Sequence, residues 1–213
     1  MELIRILMLG MLLITPNAQA NLVTNGGFEL PAALTAVPGY QYLPNNSTSM
    51  TGWTSISDGI GEESYLRNKN RAGNNYVSRV YQDTYALALN TGNAIQTSLS
   101  LAVGRVYDLS FYAKANVAGA APLQVNIGGF TDSIANTLAF THFHYQFTAS
   151  NTEPTAVLRF SNPSASGGNR IWNLDAVSLQ AAPIPLPAAA WSFLSGFMGL
   201  LAFCKRKQKR TQV

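Results

Sequence analysis

The sequence predicts an all-β domain, an antiparallel sandwich or jelly roll, set between a short apolar leader and a longer apolar tail. Three observations carry that expectation. Large apolar side chains fall on every second residue in six short runs, and turn-forming residues separate the runs. No stretch of the middle of the chain keeps a helical period.

The leader comes first. Arg5 precedes the apolar stretch from Ile6 to Ile14, and Thr15-Pro16-Asn17 leads into Ala18-Gln19-Ala20. A basic residue, a short apolar core and an Ala-x-Ala site make a secretory signal peptide, with cleavage expected after Ala20. The apolar core is too short to cross a hydrocarbon layer of about 30 Å. Residues 1–20 are therefore expected to be removed on export.

Residues 21–182 are expected to form the sandwich. The alternating runs are Tyr85–Leu89, Tyr107–Ala113, Leu123–Ile127, Phe143–Phe147, Ala156–Phe160 and Ile171–Leu179. Period two gives each strand one buried and one wet face. The breaks at Asn90-Thr91-Gly92-Asn93, Gly128-Gly129, Asn162-Pro163 and Gly167-Gly168-Asn169 supply the turns. Between Ser55 and Asp83 polar, charged and glycine residues mix without alternation, and this stretch is expected to be a long loop. At about 160 residues the domain is large enough to be stable on one core.

The last element is the tail, residues 183–213. Pro183-Ile184-Pro185-Leu186-Pro187 leads into an uncharged run, with the span expected over 188–204, and Lys205-Arg206-Lys207-Gln208-Lys209-Arg210 follows at 205–210. From Ile184 to Cys204 the chain has about the 20 residues a membrane helix needs. The basic cluster stays on the cytoplasmic side, so the domain before it faces outward.

Charge agrees with this division. The chain carries 14 Lys and Arg against 10 Asp and Glu. Residues 21–182, however, hold eight cations and nine anions, a net of −1, so the basic balance belongs to the tail. A domain without a basic patch is not expected to bind nucleic acid. The single cysteine, Cys204, lies outside it, which excludes a disulfide framework.

Few residues suggest chemistry. His142 and His144 share the wet face of one run with Gln146, but two histidines without a further ligand are a poor metal site. Tyr112 falls on the wet face of its own run, and Trp53, Tyr65, Tyr76 and Tyr81 are further aromatics. Aromatic rings can cover the apolar faces of sugars, with amides and imidazoles bonding the hydroxyls. Tyr112, His142, His144 and Gln146 are therefore the candidate ligand-binding residues, while Trp53 and Trp172 are expected in the core. Glu62 and Glu63 are adjacent and point apart on extended chain, so they are not a glycosidase pair. No nucleophile elbow, phosphate loop or metalloprotease helix is present. No enzymatic activity is expected. An envelope lyase or hydrolase acting on polysaccharide, drawing on Glu62, Asp83 or His144, is the alternative, and a purely structural adhesin is a third.

Two resemblances extend this reading. The tail resembles the sorting signals of bacterial PEP-CTERM proteins, with a proline motif, a membrane helix and a terminal basic cluster. Here Pro185-Leu186-Pro187-Ala188-Ala189 looks like the Pro-Leu-Pro-Ala-Ala variant, with Leu186 in place of glutamate. The resemblance implies processing by an exosortase-type enzyme near Pro185, Leu186 and Pro187. It also implies an inner-membrane precursor and a final place at the cell surface or outside the cell. The ordered set Asn21–Glu29, Gly52-Trp53, Tyr85–Leu89, Ala94–Thr97, Gly104–Phe111 and Leu174–Leu179 is similar to galactose-binding-like jelly rolls, the fold of many carbohydrate-binding modules. That resemblance implies extracellular polysaccharide as partner. It also implies a structural calcium at Glu29 and Asp175, on the first and last strands, though both carboxylates could instead accept hydrogen bonds from turn amides.

Overall fold

The computed structural model describes residues 19–30, 40–59, 62–70, 77–150, 155–163, 170–183 and 195–196. Residues 1–18 of the leader, Tyr76, the Pro185-Leu186-Pro187 motif, the basic tail and the expected span other than Ser195 and Gly196 lie outside them. The chain divides into two units, Met1–Ala182 and Pro183–Val213. No helix among the described residues is long and apolar enough to cross a membrane.

The described residues of the first unit form eleven strands. They are β1 (Tyr40–Leu43), β2 (Thr54–Ser57), β3 (Ser64–Asn68), β4 (Tyr85–Leu89), β5 (Asn93–Leu99), β6 (Val106–Ala115), β7 (Leu123–Ile127), β8 (Phe130–Ile134), β9 (Thr141–Thr148), β10 (Ala156–Asn162) and β11 (Trp172–Ala181). One sheet runs β1-β3-β4-β11-β6-β9 and the other β2-β5-β10-β7-β8. Every pairing is antiparallel. Only the β3–β4 and β7–β8 connections stay within one sheet; the others cross between sheets. The unit is therefore an all-β antiparallel sandwich of jelly-roll type.

Alternation builds the core. In β6 the residues Tyr107, Leu109, Phe111, Ala113 and Ala115 are buried, with Asp108, Ser110, Tyr112 and Lys114 on the other face. From the second sheet come Ile95, Val125, Leu158 and Phe160. Phe111 meets Phe160 edge-on at 4.9 Å, and Trp53 stands 6.4 Å from Phe160 and 5.3 Å from Phe28. Each large side chain removed from water in this way contributes about 1.5–3 kcal/mol. Trp53 and Trp172 are both buried, and each spends its indole N–H on a carbonyl, of Asn25 at 3.1 Å and Ala121 at 2.8 Å.

Two departures from simple alternation matter for the site. Between Asp175 and Ser178 the pairing of β11 with β6 slips at a bulge, with Ala176 in the left-handed region at φ 50°. Strict alternation would set Leu174 and Val177 on opposite faces, but the bulge lets both enter the core. It also leaves Asp175 on the outer face beside Tyr112.

The stretch from Ser55 to Asp83, expected as a loop, instead contains most of β2, all of β3 and a 3-10 turn at Val77–Arg79. Strand β3 escapes pattern recognition because its outer face carries Tyr65 and Arg67, and Arg67 is fully buried. The wet face assumed for a strand is covered here. Lys114 on β6 bonds the carbonyl of Ser78 within the 3-10 turn, which brings that turn over the outer face of the sheet. At Gly128 and Gly129 the expectation of a turn holds: both have positive φ, 52° and 90°, as a tight two-residue hairpin requires.

Candidate functional site

The outer face of β6 and β9 collects the polar and aromatic candidates. Register pairs Tyr112 with His142, Ser110 with His144 and Asp108 with Gln146. The candidates Tyr112, His142, His144 and Gln146 are thus neighbours on one surface. Gln146 Nε2 donates to Asp108 Oδ1 at 3.1 Å, and His144 Nε2 stands 3.4 Å from the same oxygen. The row Asp108–His144–Gln146 offers amide, imidazole and carboxylate groups to solvent.

Aromatic rings close one end of this row. The ring of Tyr112 lies 4.7 Å from that of His142 at 26°, and 3.5 Å from that of Tyr81 at 13°. Tyr81 comes from the other side: its backbone N–H donates to Asp175, which pairs with Tyr112 across β11. Tyr112 therefore stands between two rings and is half-buried. The rings with faces toward solvent are Tyr81, 42% exposed, and His142. Phe140 packs at 5.7 Å from Tyr81, and Lys114 Nζ lies 5.3 Å over the Phe140 ring. A hydrogen bond with the Tyr112 hydroxyl is the main influence raising the Tyr81 phenol above its usual range. Burial, then the nearby Arg79 and Arg67, lower the Lys114 ammonium below its own.

The carboxylates Glu29 and Asp175 hold the segment that carries Tyr81. Asp175 Oδ2 accepts from the N–H groups of Tyr81 and Gln82, both at 3.0 Å, and its Oδ1 accepts from Ala176 at 2.7 Å. Glu29 Oε1 accepts from Thr84 at 2.9 Å and Tyr85 at 2.7 Å. Residues 81–85 are thus clamped at both ends. Burial is the chief cause that pushes the Asp175 carboxyl up to about 7; the three amide bonds oppose it and the charge on Glu29 adds to it. The buried Asp175 and the half-buried Glu29, which clamp one segment, are also suitable donors for a hard cation. A carboxylate offers about four acceptor sites, so the five amide bonds leave roughly three for such an ion. The pair fits part of a calcium shell. Among the described residues no group of three or more His, Cys, Asp and Glu side chains could hold a metal.

Other candidates are dispersed. Glu62 accepts a bond from Asn93 through its carbonyl, at the end of the β3–β4 hairpin opposite Asp83. The residues named for the enzyme alternative are therefore not brought together. At the far edge of the same sheet Tyr42 and Tyr65 pack at 5.8 Å, with Arg67 Cζ 5.1 Å over the Tyr65 ring. Of the ring stack, Tyr81 is visible in the sequence only as one aromatic among several, Lys114 only as a wet-face neighbour of Tyr112, and Phe140 carries no signal. Alternation cannot show which loop residue folds back over a strand.

Comparison with known proteins gives similarity at the level of solved structures. A structure described as "CBM4 structure and function" is 15% identical, with a TM-score of 0.47 over 75% of this chain and 99% of that one. TmCBM61, determined in complex with β-1,4-galactotriose, is 13% identical, with a TM-score of 0.44 over 76% and 99%. The CBM22-1 xylan-binding domain of Paenibacillus barcinonensis Xyn10C is 16% identical, with a TM-score of 0.41 over 68% and 94%. No family model and no curated protein matches the chain. The sandwich assignment rests on the strand pairing of this chain itself.

Proposed function

We propose that the protein is a non-catalytic binder of extracellular polysaccharide, and that the outer face of β6 and β9 is its binding surface. One observation carries the reading: the stack Tyr81–Tyr112–His142 ends in two solvent-facing rings beside the row Asp108–His144–Gln146. Flat rings remove the C–H faces of sugars from water, and the adjoining amide, imidazole and carboxylate groups bond their hydroxyls. Tyr112 supports both outer rings.

Affinity electrophoresis against polysaccharide from the producing cells tests this. Tyr81→Ala is expected to weaken binding at least tenfold, about 1.4 kcal/mol, with Tyr42→Ala, at the other edge of the sheet, close to wild type. Wild-type protein that migrates unretarded through every such glycan would overturn the proposal, as would Tyr81→Ala binding at full strength.

The proposal includes the route. The leader directs export, and the tail acts as an exosortase-type sorting signal that holds the precursor in the inner membrane. Cleavage near Pro187 then sends the domain to the surface or the medium. The intact mass of the mature protein tests it: a carboxyl terminus near Pro187 supports sorting, and one at Val213 leaves a permanent anchor. Within the domain, Glu29 and Asp175 are proposed to bind calcium, whose charge would offset their mutual repulsion and hold residues 81–85 in place.

A further inference from the structure

A second cluster of polar side chains lies at one end of the sandwich, away from the Tyr81–His142 face. Asn90, Asn93 and Asn162 are each at most 2% exposed. Each amide nitrogen donates to a carbonyl: Asn90 to Glu63 at 2.6 Å, Asn93 to Glu62 at 2.7 Å, and Asn162 to Leu89 at 3.0 Å and Arg170 at 2.7 Å. Those bonds orient the amides, and the three buried Oδ1 atoms have no hydrogen-bond partner among the described residues. A buried acceptor left in that state costs about 1–3 kcal/mol, so three of them together call for an explanation.

Their placement supplies one. Asn93 and Asn162 are cross-strand partners at the ends of β5 and β10, which sets their Cβ atoms about 5 Å apart on one face. That face is the core side, continuing the rows of Ile95 and Phe160. Asn90 begins the same turn: Asn93 N–H donates to its carbonyl at 3.2 Å, and Gly92 N–H donates to the carbonyl of Asn162 at 2.8 Å. All three amides thus belong to one turn and the strand end packed on it.

Glu62 and Glu63 are tied to the turn through their carbonyls, and a Cβ on Gly92 would lie 2.3 Å from Asp58 Oδ2. Arg170 reaches this end with its carbonyl, while its guanidinium lies against Gly119.

We infer that Asn90, Asn93 and Asn162 hold a hard metal cation of the calcium or sodium class through their Oδ1 atoms. Such ions take neutral amide oxygens among their ligands, more weakly than carboxylates, when several converge. One water molecule has only two protons to donate and leaves the third oxygen bare. The site ties β4, β5 and β10 together at the turn where the chain passes from one sheet to the other.

The test uses the full chain in detergent, carrying Asp175→Asn to remove one ligand of the carboxylate pair. Metal retained after desalting is counted by elemental analysis, and melting is followed with calcium chloride, sodium chloride or chelator. About one ion per chain in that background, lost when Asn93→Ala is added, is the expected result. Asn93→Asp, of the same shape, covers failure of the alanine variant to fold: it is expected to bind calcium at least tenfold more tightly and to melt higher with calcium than with chelator. No retained ion in the Asp175→Asn protein, or an Asn93→Asp variant that melts lower and ignores calcium and sodium, would show a hydrated pocket and overturn the inference.

Discussion

Gly26→Ala is expected to cost at least about 3 kcal/mol and to release the amino-terminal segment from the sheet. A Cβ at this position would lie 1.8 Å from the carbonyl oxygen of Val177 and 2.9 Å from its carbon. Both atoms are backbone, so no side-chain rotation relieves the overlap. The contact is close because Val177 N–H donates to the Gly26 carbonyl at 2.9 Å, beside the bond from Leu22 N–H to Leu179 at 2.8 Å. Moving the segment away would also disturb the fully buried Phe28 and Asn25, whose carbonyl accepts from Trp53. A clash of this kind belongs to the small class of substitutions with large effects. Gly27→Ala is the control, since its nearest neighbour would be Glu29 Cγ at 3.7 Å. Urea denaturation of the two variants should separate them clearly; equal midpoints would show that the segment does not pack as described.

Asp175 carries the second large effect, and its sign depends on metal. In chelator its folded carboxyl titrates at about 7 against an ordinary 3.8. The folded state then keeps a proton that the unfolded chain has lost, so stability at this group falls as pH rises from about 4 to about 7 and is level above. About three pKa units correspond to roughly 4 kcal/mol. Acidifying the chelated protein from pH 7.5 to pH 5 should therefore stabilise it relative to Asp175→Asn, which cannot titrate. With calcium on Glu29 and Asp175 the trend reverses: the ion favours the ionised pair, adds stability at pH 7.5, and is lost on acidification. Denaturation curves at the two pH values, with calcium and with chelator, check both signs. A wild-type-minus-variant difference that ignored pH and calcium alike would remove Asp175 as a titrating or ligating group.

The strands that read clearly in the sequence are those whose large apolar side chains alternate with smaller or polar ones; in β4 the small residues, Ala86 and Ala88, are buried as well. Tyr85–Leu89 and Leu123–Ile127 coincide with β4 and β7, and Tyr107–Ala113 lies within β6. Strands β1, β3 and β8 were not legible for a physical reason. Arg67 on the outer face of β3 is fully buried rather than in solvent, and β8 is five residues of mixed character at a sheet edge, held by the hairpin at Gly128-Gly129. The candidate surface was partly legible. Alternation placed Tyr112 with its own strand and His142, His144 and Gln146 with theirs, but nothing local indicated that these strands pair, or that Tyr81 returns to stack on Tyr112.

What the sequence determined by itself is the part that depends on local periodicity and composition: six alternating runs, the turns between them, the −1 balance of residues 21–182 and the expected addresses at both ends. Tertiary structure decided how residues far apart in sequence meet. It joined Glu29 and Asp175 through the amides of residues 81–85, set Gly26 against Val177, and gathered Asn90, Asn93 and Asn162 at one turn. Each of these meetings spans tens of residues and follows from sheet order and register. An antiparallel sandwich sets these through its pairing as a whole, so no short window of the chain encodes them.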